Sequence, residues 1–191
     1  MPENVDQLRL LTPRLRLRAP HEDDVDFVLD MYSRPEVTRY LGSRDWVETT
    51  EAQALSRIRR YRGHFTDSTG VWLIETRDFR RRLGFVLLKP IPFSAGVQET
   101  EQDLEIGWHL HPDAQGCGYA AEAAAALIDH AGRAGITTLV AVTDAANSAS
   151  QAVARRLGMT HQGSTDRYYD TTCELYTLTV SERSVAPPPS H

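Results

Sequence analysis

One lysine, Lys89, stands against twenty arginines in this chain, and Cys117 and Cys173 are its only thiols. The shortage of lysine reads as a compositional bias of the source genome. The arginines are scattered rather than massed, and with a formal net charge of −5 the chain offers no basic footprint for duplex or single-stranded nucleic acid. Two cysteines so far apart form neither a metal-binding spacing nor a disulfide framework, so no metal is expected. Cys117 itself reads as a small filler residue at a helix start. There is no apolar run of about eighteen residues, the length needed to span a bilayer as a helix. The first residues, Met-Pro-Glu-Asn-Val-Asp-Gln, lack the basic and apolar regions of a signal peptide, which makes a cytoplasmic location the expectation.

What is present suits one globular unit. With 191 residues, 41% of them hydrophobic, the chain is long enough to bury a sizeable core. A single domain is expected over residues 1–180, and residues 181–191, with three consecutive prolines, are expected to be a disordered tail. Arginine alternates with leucine from Arg14 to Arg18, the pattern of an outer strand with one buried face. Pro20 and the acidic residues after it predict a helix ending before Pro35, and a second helix is predicted from Thr49 to Arg62, stopped by Gly63. Between them lies a loop with Arg39, Tyr40, Leu41, Gly42 and Trp46. Val71–Thr76 and Leu83–Leu88 read as a hairpin, and the long Pro, Ser and Gly-bearing connection from Lys89 to Gln102 has the length of a functional loop.

The chain is organised around the stretch from Leu104 to Ala131. Leu104, Ile106, Trp108 and Leu110 alternate with Glu105, Gly107 and His109, so one strand face is apolar while the other carries a carboxylate, a gap and an imidazole. Pro112 ends the strand. Gln115, Gly116, Cys117, Gly118, Tyr119 and Ala120 then form a tight turn at the start of an alanine-rich helix, where unpaired backbone N–H groups can hold a phosphate. Gly116, Gly118 and Ala121 also satisfy the dinucleotide fingerprint, but five residues separate the strand from the first glycine, which argues against a nicotinamide or flavin cofactor. Thr138–Val142 is a continuous apolar run, typical of a parallel buried strand, which makes this region a βαβ unit. A helix from Asn147, capped by Gly158, and two strands, Gly163–Tyr169 and Cys173–Thr179, complete the pattern.

Gln115, Gly118 and Ala120 fit the turn Gln/Arg-x-x-Gly-x-Gly/Ala, and Asn147, Ser150, Leu157, Gly158 and Met159 fit Asn-x-x-Ser-x-x-x-x-x-x-Leu-Gly-Phe with methionine for the aromatic. On these two motifs, about residues 10 to 180 resemble the GNAT superfamily of acyl-CoA-dependent N-acyltransferases. Thr12-Pro-Arg-Leu-Arg-Leu-Arg and Leu83-Gly-Phe-Val are similar to its RimJ/RimL-like branch, which acetylates protein amino termini and small amines. The resemblance implies an α/β fold whose mostly antiparallel central sheet contains a parallel βαβ unit that splays to bind CoA. It implies acetyl-CoA as co-substrate, a primary amine as acceptor, the Gln115–Ala120 turn on the pyrophosphate and Asn147 on the pantetheine amides; a homodimer stays open.

Amine acylation sets two demands. The amine must lose a proton before it attacks, and the oxyanion that forms must be stabilised. Glu105 is the first candidate base and His109 the second. Backbone N–H groups near His109 and Leu110, if freed by a splay, would polarise the thioester carbonyl and hold the pantetheine arm like an added strand. Many family members carry a tyrosine seven residues after the asparagine to protonate the leaving thiolate, and here that position is Ala154, so Ser150 is the substitute candidate. The alternative left open is a non-catalytic acyl-CoA-binding module.

Overall fold

Eight strands, most of them alternating or continuous apolar runs, join into one sheet in the computed structural model, which describes residues 5–41, 47–98 and 101–180. They are β1 (Leu10–Leu11), β2 (Leu15–Arg18), β3 (Gly70–Thr76), β4 (Arg82–Pro90), β5 (Leu104–Leu110), β6 (Thr138–Thr143), β7 (Thr160–Thr165) and β8 (Cys173–Thr179). Their order across the sheet is β1-β2-β3-β4-β5-β6-β8-β7, and every adjacent pair is antiparallel except β5 and β6. The expected mixed sheet with one parallel crossover is therefore what forms. Gly42, Trp46 and the tail 181–191 lie outside the described residues.

Helices cover both faces, which explains why the central strands are apolar on both sides. Helices α1 (Val25–Ser33), α2 (Pro35–Thr38) and α3 (Glu51–Arg62) bury Val28, Met31, Tyr32, Ile58 and Tyr61 against Val71, Leu73, Phe85 and Leu87. On the opposite face α4 (Tyr119–Arg133) lays Ala123, Ala124, Leu127 and Ala131 on Trp72, Ile74, Val86, Leu88 and Ile106. Alanines suit that position because they let the helix approach the sheet closely while keeping high helix propensity. Helix α5 (Ser148–Arg156) follows β6 and buries Ala154 in the same cluster.

Three expectations change in detail. Pro20 does not open the first helix; a 3-10 turn, Glu22–Asp24, precedes α1, because the Asp24 carboxylate turns inward to a buried ion-pair cluster rather than staying on a solvated first turn. The strand expected over Gly163–Tyr169 is Thr160–Thr165, with a register shift between His161 and Gly163. Tyr169 and Asp170 beyond it take left-handed backbone, with φ of 61° and 51°, and cannot continue a ladder. Finally, β6 touches β5 at one pair only and is held mainly by six antiparallel pairs with β8.

The ion-pair cluster fixes β2, β3 and α1 together. Arg18 donates to both Asp24 oxygens at 2.8 Å and to Glu75 Oε2 at 3.0 Å, while Arg82 Nε lies 2.7 Å from Asp24 Oδ1. Burial pushes the Asp24 carboxyl up, but Arg18, the His21 N–H and Arg82 outweigh it and hold the carboxyl below its ordinary value of 3.8. Its contribution to stability is therefore complete above that ordinary value and lost as pH falls through the lower folded value. Asp24→Asn removes the buried charge that Arg18 and Arg82 share, leaving the half-buried Arg18 with Glu75 alone, and should cost about 3 to 5 kcal/mol in denaturant unfolding at neutral pH, the scale for breaking a buried pair from one side. The gap between parent and variant should close as pH falls below about 3.8.

Candidate functional site

The site begins at the single parallel contact. β5 is bound to β4 along its whole length, Gly84 opposite Leu110 through Pro90 opposite Leu104, and β6 is bound along its whole length to β8. Between them only Glu105 and Val140 pair, so the two halves of the sheet diverge from that point into an open wedge. The position of Gly84 shows which backbone groups the wedge exposes. A Cβ at Gly84, whose φ is +151°, would fall 2.1 Å from the His109 carbonyl oxygen, so the His109 backbone faces β4. The His111 N–H likewise donates to Leu83. By alternation, Trp108 and Leu110 present their N–H groups to the wedge. This bears on the expectation of free N–H groups near His109 and Leu110: the Leu110 group is so placed, whereas the His109 backbone lies in the β4 ladder.

The wide end of the wedge leads to the turn. His111 Nδ1 accepts from the Asp113 N–H at 3.2 Å, and Nε2 donates to Asp30 at 3.0 Å, which closes a 3-10 turn at Pro112–Ala114. Gln115 Nε2 braces the turn by donating to the Leu110 carbonyl at 3.3 Å. Gly116 and Gly118 both have left-handed backbone, at φ 77° and 79°, and Gly118 is the N-cap of α4. Among the described residues, the backbone N–H groups from Gly116 to Ala121 meet no acceptor. Arg14 reaches over from β2's approach: its Nη1 donates to the Cys117 carbonyl at 3.1 Å, its Nε lies 2.6 Å from Glu122, and its guanidinium stands 4.7 Å from the Tyr119 ring centre. Burial raises the Glu122 pKa, but Thr12 and Arg14 outweigh it and hold the group below its ordinary value. Its charge is thus matched before any anion arrives. Cys117 is exposed, so it is not packing filler; its carbonyl serves the turn.

At the narrow end, Glu105 is buried at 7% exposure. Its Oε2 accepts from Lys89 Nζ at 2.9 Å and from the Tyr169 hydroxyl, and Lys89 Nζ also reaches that hydroxyl at 2.8 Å. Burial, then the Glu105 charge, pushes the Tyr169 pKa far above its ordinary 10.0, so the phenol stays protonated as a donor. The long Lys89–Gln102 connection meets this region too: Phe93 bridges to Tyr168, and the Ser94 N–H donates to the Arg167 carbonyl.

Glu105 and His109 share a face but not a place. Four residues of strand separate them by roughly 13 Å along the backbone, and the gap expected at Gly107 is filled by Leu87, 3.2 Å from where a Cβ would stand. His109 Nδ1 lies 3.1 Å from the Tyr32 hydroxyl, which lies 2.8 Å from that of Tyr61, which takes an Arg57 N–H at 3.2 Å. Arginine only donates, so the direction that uses every hydroxyl proton runs Arg57 to Tyr61 to Tyr32 to Nδ1 and leaves the proton of neutral His109 on Nε2. Desolvation first, then Arg57 and Lys89, push the His109 pKa down to about 3. At neutral pH the ring is a hydrogen-bond donor with little affinity for a further proton. Asn147 Oδ1 caps α5 by accepting the Ser150 N–H at 3.0 Å, and the Ser150 hydroxyl has no hydrogen bond among the described residues. Reasoning from sequence misses Lys89, Tyr169, Tyr32 and Arg57; only the isolation of Lys89 among arginines was a visible signal.

A wedge that begins at a buried carboxylate and ends at a glycine turn of open N–H groups is the layout expected of an acyl-CoA enzyme, and the comparisons with known proteins agree. The Acetyltransferase (GNAT) domain family matches residues 14–160. The chain belongs to the GNAT acetyltransferase family. It is 30% identical over 161 residues to the uncharacterized N-acetyltransferase YoaA of Bacillus subtilis (strain 168), covering 83% of this chain and 86% of that protein. Among solved structures, an acetyltransferase from Agrobacterium tumefaciens str. C58 superposes with a TM-score of 0.69 at 26% identity, covering 89% of this chain and 93% of that one. A RimL ribosomal L7/L12 α-N-protein acetyltransferase, solved with coenzyme A, superposes at 0.70 and 22% identity, covering 91% and 98%. The chain is thus an acyltransferase, and its fold is the GNAT fold. Among the described residues no group of histidine, cysteine and acidic side chains stands together to hold a metal ion, and no helix is long and apolar enough to cross a membrane.

The turn makes its own prediction. Gly118→Asp adds a side chain at φ 79° and a negative charge among the open N–H groups, so acetyl-CoA binding in calorimetry should be abolished while circular dichroism stays that of the parent. Binding as tight as the parent's, in a folded variant, would refute the anion-turn assignment.

Proposed function

We propose that this acetyltransferase moves an acetyl group from acetyl-CoA to a primary amine, either a protein α-amine or a small-molecule amine, by direct attack in a ternary complex. The RimJ/RimL-like branch is the reading we favour, supported by the Thr12–Arg18 and Leu83–Val86 segments and the RimL neighbour. The observation that carries the proposal is the wedge, which joins the open turn to Glu105. When bound, the thioester supplies the activated acetyl group. The turn from Gln115 to Ala120 would take the pyrophosphate, and the Trp108 and Leu110 N–H groups would pair with the pantetheine arm as an added strand. The Asn147 amide nitrogen, which has no hydrogen bond among the described residues while its oxygen caps α5, would meet the pantetheine amides.

Glu105 is the base in this reading. It is held at the wedge apex by Lys89 and Tyr169, whereas His109, with its pKa near 3, suits a donor that steadies the acceptor or the developing oxyanion. Ser150 is the residue assigned to the departing thiolate; its hydroxyl stabilises that charge by a hydrogen bond or relays a proton through water. The rival reading, a module that binds acyl-CoA without turning it over, predicts no thiol release. A thiol-release screen across peptides, polyamines, amino acids and aminoglycosides decides between the two and names the acceptor.

Two sets of variants test the assignments. Glu105→Gln should lower the rate by ~10² to 10⁴ at neutral pH, as loss of a general base does, with CoA affinity nearly intact. Because a free amine needs no base, the defect should shrink as pH rises; a constant ratio across the pH range would count against Glu105. Asn147→Ala should weaken CoA binding by roughly 1 to 3 kcal/mol, the cost of an unmet hydrogen bond, whereas Ser150→Ala should slow turnover and spare affinity, since the thiolate forms only late. Equal affinity losses in calorimetry would remove Ser150 from catalysis.

A further inference from the structure

The one lysine of the chain sits on the candidate base, and its isolation suggests that an amine matters there. Elsewhere the described ion pairs with carboxylates use arginine or histidine: Arg14 with Glu122, Arg16 with Glu75, Arg18 and Arg82 with Asp24, Arg57 with Glu48, Arg62 with Asp6 and Arg167 with Asp103. Arginine would hold Glu105 at least as well, because its planar fork matches a carboxylate in two places. What lysine has and arginine lacks is a nitrogen that can give up its proton and act as a nucleophile. Lys89 Nζ lies 2.9 Å from Glu105 Oε2 and 2.8 Å from the Tyr169 hydroxyl, with its side chain 15% exposed. An acceptor ammonium docking on Glu105 would have to occupy much the same position.

We propose that Lys89 is itself an acetyl acceptor, modified at Nζ by acetyl-CoA bound in the same chain's wedge when no external amine is present. This rests on the reading of Glu105 as the base. The Lys89 ammonium gives one proton to Glu105, which passes it to solvent. The neutral nitrogen attacks the thioester carbon, an N–C bond forms, the C–S bond breaks, and the CoA thiolate leaves with the second nitrogen proton as free thiol. The product is a stable amide, so the reaction stops at one acetyl group per chain. Acetylation also removes the cation opposite Glu105, which frees that carboxylate face for an incoming ammonium. The modification is slower than turnover of a good acceptor, because Nζ must leave its ion pair before attacking.

The test is mass spectrometry of the purified full chain incubated with acetyl-CoA alone, with peptide mapping to separate Lys89 from the chain's own α-amine. One acetyl group on Lys89 is expected, at a rate independent of protein concentration and slowed by an added acceptor amine. Lys89→Arg should carry no side-chain acetyl group, and Glu105→Gln should label at least ~10²-fold more slowly, the scale for loss of a general base. Unmodified Lys89 in the parent protein overturns the inference, as does equal labelling of the parent and Glu105→Gln, which would mean uncatalysed chemistry. Calorimetry and thiol release on the same samples separate the failures. If acetyl-CoA binds and added amines are acetylated while Lys89 stays bare, only this inference falls; if acetyl-CoA does not bind, the acetyl-transfer reading falls with it.

Discussion

Everything at the candidate site depends on two strands being held apart by their other neighbours. β5 is saturated by β4 along seven paired residues and β6 by β8 along six, so nothing compels the two inner edges to meet beyond Glu105 and Val140. Unpaired backbone groups inside a sheet are costly unless something satisfies them. A wedge that leaves the Trp108 and Leu110 N–H groups open therefore suits a ligand with amide groups of its own. The divergence also places Glu105, a buried strand-borne carboxylate, at the apex of the opening.

Charge is arranged to keep both ends of the wedge ready. At the wide end, the Arg14 to Glu122 pair neutralises the only acidic side chain in the first turn of α4, leaving the open N–H groups to favour an anion. At the narrow end, Glu105 is balanced by Lys89 and receives a hydrogen bond from a phenol that desolvation keeps protonated. Between them, on the α1 and α3 face, the chain from Arg57 through Tyr61 and Tyr32 fixes the ring of His109 and its tautomer. A residue that sequence presents as a second candidate base is thereby held as a hydrogen-bond donor, for a reason that lies on two other elements.

What could be read in advance were features with local causes. The strand from Leu104 to Leu110, the glycine turn, the alanine-rich helix and the Asn147 cap each follow from period, backbone conformation or capping chemistry over a few residues. Where local rules were applied across a tertiary contact they failed. The acidic turn after Pro20 looks like dipole compensation, yet Asp24 is drawn inward by Arg18 and Arg82. Tyr168 and Tyr169 look like the end of a strand, yet positive φ at Tyr169 turns the second of them onto Glu105.

By itself, the sequence determined the order and type of most elements, the glycine turn and the family, because periodicity, glycine conformation and motif spacing act within short stretches of chain. Only the tertiary structure decided which groups meet. It joined Lys89 and Tyr169, 80 residues apart, at Glu105, parted Glu105 from His109 although they share a strand face, and lowered the pKa of His109 to about 3. The physical reason is that burial and partner charge set a side chain's protonation and reach, and both are properties of the packed sheet rather than of any segment within it.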